Sequence, residues 1–234
     1  MSDLVLRLRA EPRFRLDLSP LTPEGLAGQS ADAVSRLPLT YGRRSVPVGE
    51  WFDVRGAGGP RLVIEGDGSR LDRIGAAMRD GLIRIEGNAG AYLGIGMRGG
   101  QIEVSGDTDA YAASGLAGGL VRIRGDAADF LGAALPGEHR GMRGGVVIVG
   151  GRLGDRAADH MRRGTLLFAG PAPAPGPTFN DAGELPLGFL VLLARSWKEL
   201  PSRFASLSRP STRVRRWVGD LAFGGQGELI HWPG

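Results

Sequence analysis

The side chains best suited to move a proton or hold a metal are three histidines, His139, His160 and His231, widely separated along the chain. None stands at the short spacing expected of a metal-ligand pair. With no cysteine present, disulfides, iron–sulfur ligation and thiolate nucleophiles are excluded. Carboxylates come in close pairs at Asp107/Asp109 and Asp155/Asp159. Acid–base catalysis would need such acids clustered on one outer face with basic partners, whereas these fall where the chain turns. Gly94-Ile95-Gly96 running to Gly100 looks like a phosphate-cradling loop. A dinucleotide fingerprint, however, sits between a strand and a long helix, and similar glycines recur throughout this chain with no such helix after them. No catalytic set and no metal set emerges, so the residues read as a scaffold. His139 and Arg140 lie in LPGEHRG, the one interruption of an otherwise regular pattern, and are candidate partner contacts.

That pattern is a repeat. RLVIEG from Arg61, LIRIEG from Leu82, QIEVSG from Gln101, LVRIRG from Leu120, VVIVGG from Val146 and TLLFAG from Thr165 start 21, 19, 19, 26 and 19 residues apart. The phrases MRDG, MRGG, LAGG, MRGG and MRRG end at Gly81, Gly100, Gly119, Gly145 and Gly164. A fixed period of this size signals stacked supersecondary units. Within each copy, pairs such as Leu62/Ile64, Ile83/Ile85, Ile102/Val104 and Val121/Ile123 alternate with period two, the mark of a short strand with one buried face. The glycines that follow (Gly66, Gly87, Gly106, Gly125, Gly151, Gly170) are expected to turn the chain through positive φ. Asp67, Asn88, Asp107 and Asp126 come next as Asx turn residues.

About 19 residues are too few for a βαβ crossover and return, but enough for one coil of a solenoid whose equivalent residues stack at about 4.8 Å. Met78, Met97, Leu116, Met142 and Met161 form a second inward column, beside the small residues Gly75, Gly94, Ala113, Gly132 and Ala158. The expected fold is all-β, a parallel β-helix over residues 61–170. Left-handed hexapeptide helices use coils of similar length, but their aliphatic residue at every sixth position is not found here. On the outward face Arg84, Glu103 and Arg122 alternate in sign. The column then turns apolar at Ile148 and Leu167, a face to be covered by the C-terminal tail or by another subunit. Tyr92, Tyr111 and Phe130 align as a stacked packing ladder.

Residues 1–60 read as a cap: LVLRLR as a strand, a helix from Thr22-Pro23 to about Arg36, then two strand-like runs. Residues 171–234 hold a stiff PAPAPGP linker, an apolar run over Pro186–Leu200 that could be a helix or a strand then a helix, and a basic run at Arg213–Arg216. No run is long enough to span a bilayer, and the start has no secretory h-region, so a cytoplasmic protein without membrane contact is expected. The net charge is +4, but arginines are interleaved with acids and Lys198 is the lone lysine, so nucleic acid is not an expected partner.

The repeat, flanked by VPVGEWFDV (46–54) and RRWVGDLAFGGQGELI (215–230), resembles the C subunit of formylmethanofuran dehydrogenase and, more closely, the C subunit of the formyltransferase/hydrolase complex of methylotrophs. Glutamate synthase large subunits carry a similar GXGXG domain without these flanks. The resemblance implies a right-handed parallel β-helix that binds no cofactor itself and packs against amidohydrolase-like and formyltransferase-like catalytic subunits. Such a complex uses a methanofuran-type carrier and tetrahydromethanopterin. The dehydrogenase alternative would add a molybdenum or tungsten pterin and iron–sulfur clusters on the neighbours. The resemblance also suggests that Arg213, Arg215 and Arg216 contact the acidic tail of the carrier. From another class, a free-standing β-helix enzyme or glycan-binding module stays open. The structural-subunit reading expects the flank at Ile148 and Leu167 to remain exposed on the isolated chain.

Overall fold

The computed structural model describes residues 3–186 and 213–232. The apolar run after Pro186, with Lys198, lies outside the described residues. The chain opens with β1 (Leu4–Leu8) and β2 (Leu16–Asp17). Two short helices follow, α1 (Pro23–Leu26) and α2 (Ala31–Ser35), then β3 (Pro38–Tyr41), β4 (Arg44–Pro47), α3 (Val48–Trp51) and β5 (Phe52–Arg55). The single helix expected up to Arg36 is therefore broken. Thr22 caps α1 as its composition suggests, accepting from the Gly25 N–H. The Gly28 N–H then donates to Gly58, and the Gly58 N–H to Gln29, so the backbone between the helices is given over to a bridge with residues 57–58. Ser30 caps the second helix.

The repeats follow as β6 (Arg61–Glu65), β7 (Leu71–Asp72), β8 (Leu82–Glu86), β9 (Gln101–Val104), β10 (Leu120–Ile123), β11 (Arg143–Val149) and β12 (Arg163–Phe168). Last come β13 (Asn180–Pro186), β14 (Arg213–Gly219) and β15 (Gly227–His231). The protein is all-β in character, with an 11-stranded sheet and a four-stranded one. In the large sheet β6, β8, β9, β10, β11 and β12 pair parallel, placing Leu62, Ile83, Ile102, Val121, Val147 and Leu166 in one buried row. A second set of parallel bridges runs Gly68–Ala89–Thr108–Ala127–Leu153. Met78, Met97, Leu116, Met142 and Met161 are all fully buried between the two sets. Each such side chain contributes roughly 1.5–3 kcal/mol, so neighbouring repeats stabilise one another.

The inserted segment does not disturb this stacking. The Met142 N–H donates to the Gly132 carbonyl at 2.7 Å and the Ala134 N–H to Asp159 at 3.0 Å, so the extra residues loop out as an exposed excursion over 136–140.

Two columns work differently from the expectation. Only Gly66 and Gly87 of the turn glycines have positive φ, 117° and 153°. At Gly106, Gly125, Gly151 and Gly170 a side chain is forbidden by close approach instead. A Cβ on Gly125 would strike Asp107 Oδ1 and sit 2.7 Å from the Gly106 carbonyl. The Asx column, in turn, links repeats rather than only shaping turns. Asn88 Oδ1 accepts from the Asp107 N–H, Asp107 Oδ1 from Asp126, and Asp126 Oδ1 from Arg152, at 2.7–2.8 Å.

Both ends of the stack are closed by the flanks. β1 lies parallel to β6, with Leu4 and Leu6 over Leu62 and Ile64. Glu24 accepts the Arg79 N–H at 2.8 Å, the kind of donor that Arg98 offers to Met78 one repeat on. At the other end β15 lies parallel to β12, and the buried Asp220 carboxylate accepts the His160 N–H at 3.1 Å. In the preceding repeats the equivalent N–H groups of Ala77, Gly96 and Ala134 donate to the next layer's Ile95, Ser114 and Asp159. A carboxylate thus takes the place of a missing neighbour's carbonyl at each end.

Candidate functional site

The three histidines do not converge. His139 and Arg140 are exposed on the inserted loop. His231 stacks on Phe168 at 4.9 Å, and burial, reinforced by the nearby Arg215 charge, lowers its pKa. His160 lies between Asp159, whose Oδ1 is 3.0 Å from Nδ1, and Asp220, with ligand atoms of the three within 4.8 Å of one another. Its ring stacks on Phe223 at 3.7 Å. Sequence spacing missed this cluster because Asp220 is 60 residues away; the signal was the Gly-Asp in the GDLAFGG flank. Its bonds are those of an end closure, since Asp220 also holds the Ala222 N–H and Arg156 takes the other oxygen of Asp159 at 2.6 Å.

Of the carboxylate pairs, Asp107 and Asp109 are likewise committed to structure, as is Asp159. Asp107 carries the inter-repeat bond, while Asp109 pairs with Arg15 at 2.6 Å. Arg15 also reaches Asp72 at 2.8 Å, so one guanidinium from the N-terminal segment ties together acids from two different repeats. Burial raises the pKa of Asp72 despite Arg15. For Asp109, burial acts in the same direction but is outweighed by the Ala110 N–H and Arg15, and its pKa is lowered.

The aromatic column is a closed stack. Tyr92 lies on Tyr111 at 5.6 Å and 14°, and Tyr111 on Phe130 at 4.7 Å and 4°. Arg73 covers the Tyr92 end at 5.6 Å and Arg156 the Phe130 end at 5.2 Å. The inner ring faces are spent on one another and the outer ones on guanidinium groups, so little platform is left for a sugar. All five residues hold φ between 55° and 63°, a left-handed conformation that costs each about 1–2 kcal/mol and that stacking offsets. Tyr111→Ala should lower stability by about 1–3 kcal/mol, two ring contacts at ~0.5–1.5 each, measurable by chemical denaturation. An unchanged midpoint would remove the ladder from the account.

On the outward face of the large sheet, Glu103 bridges Arg122 at 2.7 Å and Arg84 at 3.3 Å. Ile148 and Leu167 are 3% and 1% exposed, forming one cluster with Val214, Ile230 and Trp232. The apolar flank expected to stay open is thus covered within the chain, because β14 and β15 fold back beside β12. The cations of β14 also face acids. Arg215 pairs with Asp181 at 2.6 Å and holds that carboxyl below its usual range, Arg216 pairs with Glu228, and Arg213 lies 4.0 Å from Glu184. A role in binding a carrier tail would have to compete with these pairs. Among the described residues no helix is long and apolar enough to cross a membrane.

No protein-family model matches the chain. The C subunit of the formyltransferase/hydrolase complex from Methylorubrum extorquens is 43% identical over 96% of this chain and 98% of its own length. The C subunit of the molybdenum-containing formylmethanofuran dehydrogenase 1 from Methanosarcina barkeri is 35% identical over 98 residues, 40% of this chain and 33% of that one. Its counterpart in the tungsten-containing dehydrogenase 2 from Methanothermobacter marburgensis is 34% identical over the same share of this chain and 36% of its own. Among solved structures, a chain of the Methylorubrum extorquens formyltransferase/hydrolase complex, crystallised with methylofuran, superposes with a TM-score of 0.70 and 34% identity. That match covers 98% of this chain and 99% of the other. Similar over 96% of its length to one of these proteins and over 40% of its length to the others, the chain belongs to the family of C subunits of formyltransferase/hydrolase complexes.

Proposed function

We propose that this chain is the structural, non-catalytic C subunit of a cytoplasmic formyltransferase/hydrolase complex, built as a right-handed parallel β-helix. It packs against amidohydrolase-like and formyltransferase-like subunits. In that complex a formyl group passes from formyl-tetrahydromethanopterin to a methanofuran-type carrier, and water then releases it as formate. The observation that carries this reading is the end-to-end similarity, flanks included, to the C subunit of one such complex, against a match of only 40% of the chain to the dehydrogenase subunits. The two sets of in-register parallel bridges support a β-helix. The tendency of parallel crossovers to take the right hand, in about 98% of cases, supports that hand here. A scaffold role is supported by where the candidate catalytic groups went: Asp107, Asp109, Asp159 and His160 are bound into inter-repeat and end-closing contacts.

Capture of the tagged chain from its native cells, with mass spectrometry and metal analysis of the eluate, tests the proposal. Amidohydrolase-like and formyltransferase-like partners without molybdenum or tungsten are the expected result. Partners carrying a metal pterin would move the chain to the dehydrogenase, and a partner-free monomer would return attention to a site on the chain itself.

A further inference from the structure

In the repeated phrase that closes each repeat, the methionine or leucine is buried and the glycines turn the corner, but the arginine serves neither purpose. Arg79, Arg98, Arg143 and Arg162 occupy that position, with Ala117 in the third repeat. Their backbones are pinned one over another: the Arg98 N–H donates to Met78 at 2.8 Å, Ala117 to Met97 at 2.8 Å, Arg143 to Leu116 at 2.6 Å and Arg162 to Met142 at 2.8 Å. The side chains therefore rise as a column at about 4.8 Å per repeat. All four are exposed, and none forms an ion pair among the described residues. The Arg143 guanidinium reaches only the Gly115 carbonyl, at 3.4 Å.

Elsewhere on this chain stacked arginines are compensated, Arg84 and Arg122 by Glu103 and Arg152 by Asp126. Like charges set directly over one another are destabilising, and among the described residues no carboxylate comes within 4 Å of these guanidinium groups. We propose that the arginine column is a docking surface for an acidic strip on a neighbouring protein subunit, an inference that rests on the subunit reading above. Three residues beyond the column, Leu82, Leu120 and Val146 are half-buried, the last two packed in part against the Ile148–Trp232 cluster, so the edge mixes arginine with partly exposed apolar side chains. That is the composition of a protein interface, where arginine is enriched and lysine depleted. A guanidinium fork also meets carboxylates in a bidentate geometry that a lysine cannot offer. No aromatic platform borders the column among the described residues, as a single-stranded nucleic acid would require; the Tyr92–Phe130 ladder stands at another corner of the repeat.

The test uses the full chain and its copurifying subunits, with association measured between low and ~0.5 M salt. Arg98→Gln/Arg143→Gln should bind roughly tenfold more weakly at low salt and with a flatter salt dependence. Arg98→Lys/Arg143→Lys should fall between that variant and the wild type. Because the positions are exposed and lose only like-charge contacts, thermal midpoints should not fall, and an Arg122→Gln variant, removing a paired arginine, should bind like wild type. Wild-type affinity and salt slope in the glutamine variant would overturn the column while leaving the subunit reading intact. A wild-type chain that captures no subunits would overturn both. If polyglutamate or single-stranded DNA bound in an Arg98- and Arg143-dependent way while subunit association stayed unchanged, the column would belong to a polyanion and the proposal would be wrong.

Discussion

Gly125→Ala should destabilise the chain by about 3–5 kcal/mol, although the change adds one methyl group in an ordinary region of backbone space. The new Cβ would run into Asp107 Oδ1 and lie 2.7 Å and 2.8 Å from the carbonyl oxygen and carbon of Gly106. Separating the repeats to admit it lengthens two bonds at once, Gly125 N–H to Gly106 at 3.0 Å and Asp126 N–H to Asp107 Oδ1 at 2.7 Å. Overpacking costs ~1–3 kcal/mol, and each strained hydrogen bond adds about 1 kcal/mol. For a chain of this size the thermal midpoint should fall by roughly 10 °C. Gly96→Ala is the comparison: φ there is 63°, yet nothing lies within 4 Å of a Cβ. It should cost only the left-handed penalty, about 1–2 kcal/mol. Equal losses in the two variants would mean that backbone conformation, and not the approach of successive repeats, explains the glycine column.

The same contrast shows which parts of the molecule were legible in the sequence. Period and register were, because burial imposes them directly: Leu62, Ile83, Ile102, Val121, Val147 and Leu166 could be aligned on paper and do share one row. The stacking of Tyr92, Tyr111 and Phe130 followed from the same register. The physical reason for a repeated glycine was harder to read. Glycine is demanded by positive φ and by lack of space alike, and only coordinates separate Gly66 from Gly125. Break points were also hidden. Within Pro23–Arg36 only Gly28, at φ 76°, and the cap residue Ser30 mark the break, and the bond of residues 28–29 to Gly58 that fixes it is tertiary. The closure of the far end depends on Asp220 meeting His160 across 60 residues, a distance at which spacing carries no information. On the candidate site, the sequence placed Ile148 and Leu167 on an outward face that needed a cover. The cover comes from β14 and β15, whose antiparallel return no local pattern records.

The end closures lead to the second large effect. Asp220 is 2% exposed and accepts the His160 and Ala222 N–H groups, while its own N–H donates to Met161 at 3.0 Å. Asp220→Ala leaves the His160 N–H without its acceptor, at ~1–3 kcal/mol, and removes a cap worth about 1 kcal/mol. The expected loss is roughly 2–4 kcal/mol. It should be local, because in a stack each repeat contacts only its neighbours. Hydrogen exchange should quicken over 160–168 and 227–232, while β6 and β8 stay protected. As β15 loosens, Ile148 and Leu167 lose Ile230 and Trp232 from above them, and the isolated chain should become prone to associate through the uncovered patch. Glu24→Gln, which weakens the acceptor for the Arg79 N–H at the opposite end, should loosen the first repeat and leave 160–168 unchanged. Asp159→Asn keeps the Asp220 closure and should cost under about 1 kcal/mol, since its partner Arg156 is exposed. If Asp220→Ala instead accelerated exchange uniformly from β6 to β15, the chain would unfold as one cooperative unit. The carboxylates at its two ends would then be stabilising the whole fold rather than closing separate ends of a stack.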